Sequence, residues 1–176
     1  GPVFAAEIRK RRIQDPPFSL WRWHLDEIFV RINGEQHYLW RAVDQEGEVL
    51  ESFVTKRRDR KAALKFLRKA MKRYGRPEVI VTDLLRSYPA AMKIIGISGR
   101  QATGHWLNNR AENSHQPFRR RERAIAKSRS TTTLQKFTSI HASVHNHFNQ
   151  KRHRHSRQNF KANQSAALAE WRQIAA

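Results

Sequence analysis

Four carboxylates in this sequence sit where solvation or capping explains them poorly: Asp26, Glu27, Asp83 and Glu112. The rest of the fifteen acids have ordinary roles. Asp44, Glu46 and Glu48 solvate one hairpin turn, Glu35 solvates another, and Asp59 caps a helix. Glu7, Asp15, Glu78, Glu122 and Glu170 lie in polar or flanking contexts, and Glu51 reads as an exposed strand position. Asp26 and Glu27, by contrast, lie inside an aromatic, β-rich run where Asp is disfavoured, and alternation puts only one of them on the core face. Asp83 closes the apolar run Glu78-Val79-Ile80-Val81-Thr82-Asp83. In open α/β sheets, ligands bind at the carboxyl ends of such strands. Glu112 belongs to Leu107-Asn108-Asn109-Arg110-Ala111-Glu112-Asn113-Ser114-His115, just upstream of Arg119, Arg120, Arg121 and Arg123. Asn108 or Asn109 can cap a helix here, which sets Glu112 in its first turns. There it either complements the helix dipole and the nearby arginines or does chemistry.

Carboxylates in or beside a core cost energy unless neutralised, and a divalent cation is the usual remedy. Oxygen ligands without cysteine suit Mg²⁺ or Mn²⁺. Two such ions about 3.5–4 Å apart clamp the attacking and leaving oxygens of an in-line phosphoryl displacement. An acidic cluster in a basic chain therefore points to polynucleotidyl chemistry, with arginines holding phosphates and acids holding the metals that act on one of them.

The basic excess is large: 35 Lys and Arg against 15 acids, a formal charge of +20 over 176 residues. Such a chain repels itself and attracts polyanions, so nucleic acid is the expected partner and a membrane surface the weaker alternative. No apolar run is long enough to span a bilayer, and no signal-peptide pattern opens the chain. Without cysteine there are no disulfides or thiolate zinc sites, which is compatible with a reducing cytosol. The length suits one domain. Because the chain opens at Gly1 rather than Met, it reads as a piece of a longer protein with a further domain upstream.

The elements that must position these acids follow from periodicity. Residues 1–19 form a basic arm ending near Asp15-Pro16-Pro17. An antiparallel meander runs over Leu20–Ile32, His37–Asp44 and Val49–Thr55, with Asn33-Gly34 as its first turn. Asp59 caps a helix over Arg60–Tyr74, and Gly75 closes it. The strand ending at Asp83, a short helix over Arg86–Ile95 and an irregular, glycine-punctuated stretch with one short strand come next. The helix bearing Glu112 is expected to kink or break at Pro117. A helix from Thr132 to Phe148, a polar stretch over 149–163 and a terminal helix over Ala166–Ile174 complete the chain. The expected fold is α/β, a mixed sheet flanked by helices. The catalytic domain would occupy 20–150, followed by a basic tail over 151–176. His141, His145, His147, His153 and His155 invite a zinc site, although a basic surface carries histidines for other reasons. Trp21, Trp23, Trp40 and Trp171 are expected in the core, with Trp106 the exception that could stack on a base.

Taken together, Trp23-His24-Leu25-Asp26-Glu27, Val81-Thr82-Asp83 with Leu85-Arg86-Ser87-Tyr88, and Leu107 to His115 resemble the catalytic core of bacterial insertion-sequence DDE transposases. These are relatives of retroviral integrases with an RNase H-like fold, and the nearest subgroup is the small transposases that move through cointegrates. The resemblance implies Asp26, Asp83 and Glu112 as the catalytic and metal-binding acids, with Glu27 adjoining the first but outside the triad. It further implies two Mg²⁺ (or Mn²⁺) ions, a water attack that frees a 3′-hydroxyl at an element end, and attack of that hydroxyl on target DNA. Arg86, Asn109, Arg110, His115, Arg119, Arg120, Arg121 and Arg123 are the candidate contacts to double-stranded DNA. A homodimer or higher oligomer on DNA and a bacterial cytoplasmic, nucleoid-associated setting also follow from the resemblance. The sequence departs from the family in a short interval between Asp83 and Glu112, and in Leu84, where many relatives carry Lys. The family's helix-turn-helix region is not in this sequence, so the chain is expected to bind DNA with little sequence preference. A non-catalytic DNA-binding module and a metal-dependent nuclease without strand transfer are the alternative functions.

Overall fold

A computed structural model describes residues 21–125, 129–148 and 156–175 of the chain. Within α3, defined below, the side chains of Arg110, Glu112 and residues 121–125 lie outside the described set. β1 (Arg22–Ile32) turns at Asn33-Gly34 into β2 (Glu35–Asp44). Both turn residues have positive φ, 51° and 79°, as the twist of a two-residue hairpin requires. β2 turns back into β3 (Val49–Thr55). Asp44 does more here than solvate the turn. It is buried, and its Oδ1 accepts the N–H groups of Glu46 and Glu48 at 2.8 and 2.9 Å.

Helix α1 (Arg60–Tyr74) starts where Asp59 accepts the Ala62 N–H, and it ends at Gly75 with φ 79°. It crosses over to β4 (Val79–Thr82), which pairs parallel with β1. Helix α2 (Ser87–Ile94), β5 (Gln101–Thr103), α3 (Asn109–Ile125), α4 (Thr131–Phe148) and α5 (Arg157–Ala175) follow. The sheet order is β3-β2-β1-β4-β5, antiparallel across the first three strands and parallel across the last three. The expected mixed α/β sheet is therefore present.

Alternation in β1 divides the core into two layers. Trp23 and Leu25 pack with Trp40, Phe66, Leu67, Tyr88 and Met92 under α1 and α2. Ile28, Val30 and Ile32 pack with Leu39, Val54, Phe118 and Leu134 on the side of α3 and α4. Two amides of α4 cover the outer edge of β3. Gln135 accepts the Val54 N–H (2.8 Å) and donates to the Ser52 carbonyl (2.6 Å), while Asn146 exchanges two bonds with Val49 (2.8 and 2.7 Å). Unpaired edge groups invite pairing with other chains, and these side chains occupy them.

Several expectations change in the fold. Glu51 is 4% exposed rather than solvated, because Lys69 and Arg73 of α1 reach over the sheet and pair with its two oxygens at 3.1 Å each. Trp21 lies at the margin of the sheet, 37% exposed under the Arg22 guanidinium, rather than in the core. Helix α3 continues through Pro117 without a break. Helix α5 begins at Arg157, so 157–163 are helical; residues 149–155 and the arm over 1–19 lie outside the described residues. The His141 ring packs edge-on against Phe118 and stacks on His145. No group of three or more potential metal ligands among the described residues includes either histidine, and His153 and His155 lie outside them.

Candidate active site

Two of the three proposed acids meet because of strand register. In the parallel pairing of β1 with β4, His24 stands opposite Val81, so two residues further on Asp26 and Asp83 are level. Carboxylate oxygens of Asp26, Glu27 and Asp83 all lie within 4.8 Å of one another. Asp83 is held by its own turn, its Oδ1 accepting the Leu85 N–H at 3.0 Å, and Asp26 Oδ1 accepts the Glu27 N–H at 2.9 Å.

Glu27 is the member that the sequence left outside. It points to the α2 side of the sheet, where the Tyr88 hydroxyl donates to it at 2.9 Å and Arg58 pairs with it at 3.1 Å. Its side chain is 2% exposed. Burial and the Asp83 charge, with a smaller push from Asp26, raise it from an ordinary 4.5 to about 7, against the opposing pull of Tyr88 and Arg58. Tyr88, fully buried, is itself pushed up by burial and by Glu27. Three acids crowded this closely, one of them driven towards neutrality, form a hard-oxygen donor set suited to a divalent cation.

Helix α3 is pinned against this cluster from several sides. Asn108, in the turn before it, donates to the Leu25 carbonyl at 3.0 Å instead of capping the helix, and His24 Nδ1 contacts the Leu107 carbonyl at 3.0 Å. Arg41, directly across the ladder from Asp26, is 2% exposed and donates to the Ser114 carbonyl at 2.8 Å. Burial lowers its guanidinium to about 10 while Asp26 holds it up, so it stays charged at neutral pH. Ala111, Ser114 and His115 are buried, which places the backbone of Glu112 on the segment that docks beside Asp26. The Glu112 side chain is outside the described set.

Among the expected DNA contacts, Arg86, Asn109, Arg119 and Arg120 are exposed. The side chains of Arg110, Arg121 and Arg123 lie outside the described set. His115 differs: it is 3% exposed, with Nδ1 3.5 Å from Asp26 Oδ2, and so is walled off from the surface. Burial, Arg41 and Arg119 lower it to about 3, so it is neutral and its approach to Asp26 is not an ion pair at neutral pH. Leu84, which follows Asp83, is 87% exposed. Glu27 and Arg41 went unassigned because each gains its role only from residues distant in sequence. An arginine inside the apolar run Tyr38-Leu39-Trp40-Arg41-Ala42-Val43 was the available signal.

A family model described as a DDE domain matches residues 20–151. The chain belongs to the DDE domain family. Relatives of this DDE domain include the transposase for insertion sequence-like element IS431mec of Staphylococcus aureus. It is 31% identical over 130 residues, covering 70% of this chain and 58% of the relative. The transposase for insertion sequence element IS257 in transposon Tn4003, also from Staphylococcus aureus, matches with the same identity and coverage. The chain thus spans 58% of the length of these relatives. In three dimensions it is similar to the catalytic core domain of BIV integrase, with a TM-score of 0.51 at 19% identity over 76% of this chain and 86% of that one. A chain of the simian T-cell lymphotropic virus intasome matches with a TM-score of 0.50 at 18% identity, covering 77% of this chain and 51% of that chain. The fold of the DDE domain is the expected RNase H-like one, shared with the BIV integrase catalytic core.

The crowding of acids carries a pH dependence. Between about pH 4.5 and 7, folded Glu27 holds a proton that the unfolded chain has released, so stability from this group falls as pH rises through that window. The full effect is on the order of 3 kcal/mol. His115 acts oppositely, its contribution being lost as pH falls from about 6.5 to 3. Metal-free Glu27→Gln protein is therefore expected to match the parent near pH 5 and exceed it in thermal stability at pH 8. A stability gap that does not change with pH would contradict the assignment.

Proposed function

We propose that this chain is the DNA-cutting and DNA-joining domain of an insertion-sequence transposase, with Asp26, Asp83 and Glu112 as its catalytic acids. The observation that carries this reading is the convergence of the Asp26 and Asp83 carboxylates, from two parallel strands, beside the helix that bears Glu112. The three carboxylates would hold two Mg²⁺ or Mn²⁺ ions. When bound, such ions polarise a phosphoryl oxygen and lower the pKa of water.

The protein's own groups then have separable tasks. Asp26, from within β1, and Asp83, from the end of β4, are fixed by backbone hydrogen bonds and present their charge from a rigid sheet. Exposed Arg86, Asn109, Arg119 and Arg120 hold the flanking phosphates of double-stranded DNA, joined by Arg110, Arg121 and Arg123. Arg41 and neutral His115 support Asp26 and α3 from beneath. In the reaction, water attacks a phosphodiester at the element end and breaks its P–O3′ bond, leaving a 5′-phosphate on one side and a free 3′-hydroxyl on the other. That hydroxyl then attacks a phosphodiester of target DNA, joining to its phosphorus and expelling the target strand's 3′-oxygen as a new 3′-hydroxyl. A homodimer or larger assembly on DNA would bring two such sites together, and the cytoplasm is the setting in which that DNA is met.

The test is incubation of the chain with supercoiled plasmid and a pre-cut oligonucleotide end in Mg²⁺, Mn²⁺ or EDTA. The expected result is nicking and joining in either metal, none in EDTA, and none with Glu112→Gln. Salt-sensitive DNA binding without metal-dependent products would instead identify a non-catalytic binding module. Nicking without joining would identify a nuclease.

A further inference from the structure

Phe29 is the most exposed aromatic ring among the described residues, 58% exposed, and it lies on the α1 side of the sheet beyond Glu27. Its direct cross-strand partner is Tyr38, with ring centroids 5.3 Å apart. The Arg58 guanidinium lies over both rings, 5.6 Å from Phe29 and 5.8 Å from Tyr38. The same guanidinium pairs with Glu27 at 3.1 Å and keeps 38% of its side chain exposed. An aromatic step is thus joined to the acid cluster through one ion pair.

We propose that Phe29, Tyr38 and Arg58 form a stacking platform for an unpaired nucleotide of the DNA strand that enters the acid site. The surroundings select the occupant. Arg31, two residues beyond Phe29 on the same face of β1, and Lys56, Arg57 and Arg58, just after β3, are all exposed. Among the described residues, Lys56 alone of these pairs with a surface acid, Glu35. A second copy of a chain carrying +20 would meet repulsion here, whereas a polyanion is attracted. Duplex DNA keeps its base faces stacked inside, so an exposed ring on a sheet face suits a base that has left the stack. Stacking is tolerant of sequence, and Arg58 has open donors for the adjoining phosphate.

This inference rests on the DNA reading given above, and binding in EDTA separates the two. The probe is a duplex with a short 3′ single-stranded tail carrying 2-aminopurine, compared with the blunt duplex of the same sequence. Phe29→Ala is expected to weaken binding of the tailed DNA roughly tenfold and abolish 2-aminopurine quenching, with blunt-duplex affinity unchanged. Phe29→Trp is expected to keep both tail affinity and quenching. Phe29→Thr, which retains strand propensity, serves as the second truncation if the alanine variant unfolds. Equal losses on both DNAs, no loss on either, or a changed oligomeric state with tail binding intact would overturn the platform while leaving the DNA reading in place. Failure of the parent chain to bind either DNA would overturn both.

Discussion

Asp83→Asn is expected to lower metal-dependent strand cleavage and joining by at least about 10²–10³-fold, the scale on which loss of one preorganised electrostatic group is felt. The same change is expected to make the metal-free protein more stable above pH 7. The two effects share a cause. Asparagine can still accept the Leu85 N–H through its side-chain oxygen, so the turn after β4 keeps its geometry. The negative charge is lost, and the donor set for a cation loses a member. Glu27, meanwhile, loses the larger of the two charges that raise it, and its proton affinity falls back towards the ordinary range. Plasmid nicking and joining in Mn²⁺, with thermal melts in EDTA at pH 8, measures both. Activity that survived the substitution would sink the catalytic assignment, and a lower melting temperature at pH 8 would contradict the crowding of charge.

Trp40→Ala is expected to cost about 3–5 kcal/mol, in the range for emptying a large buried aromatic site. Trp40 has no exposed surface; its ring meets Phe66 at 6.0 Å and Tyr88 edge-on at 5.6 Å, and its Nε1 donates to Thr55 Oγ1 at 2.8 Å. Its removal opens a cavity in the layer beneath α1 and α2 and takes away the wall behind Tyr88. Because Tyr88 donates to Glu27, the cavity reaches the acid cluster. Urea titration would measure the loss. Trp40→Phe retains most of the ring volume and is expected to recover more than half of it. A loss below about 1 kcal/mol for the alanine variant would mean that the neighbouring rings collapse into the space.

Local signals were enough for much of this protein. The limits of α1, from the cap at Asp59 to Gly75, follow from apolar spacing and cap chemistry, and the Asn33-Gly34 turn follows from its tolerance of positive φ. Asp26 and Asp83 stand out in the chain because an acid in a strand has no local reason to be there. These features depend on a few consecutive residues, so one dimension contains them. Tertiary packing decided the rest. Glu27 and Asp26 point to opposite faces of β1, yet both reach Asp83, because β4 ends beside them. His115 and Arg41 became internal supports of Asp26 when α3 docked over the sheet, and Glu51 became buried when Lys69 and Arg73 closed over it. Burial and charge depend on which distant residues arrive alongside, and that is set by strand register and helix docking rather than by neighbours in the chain.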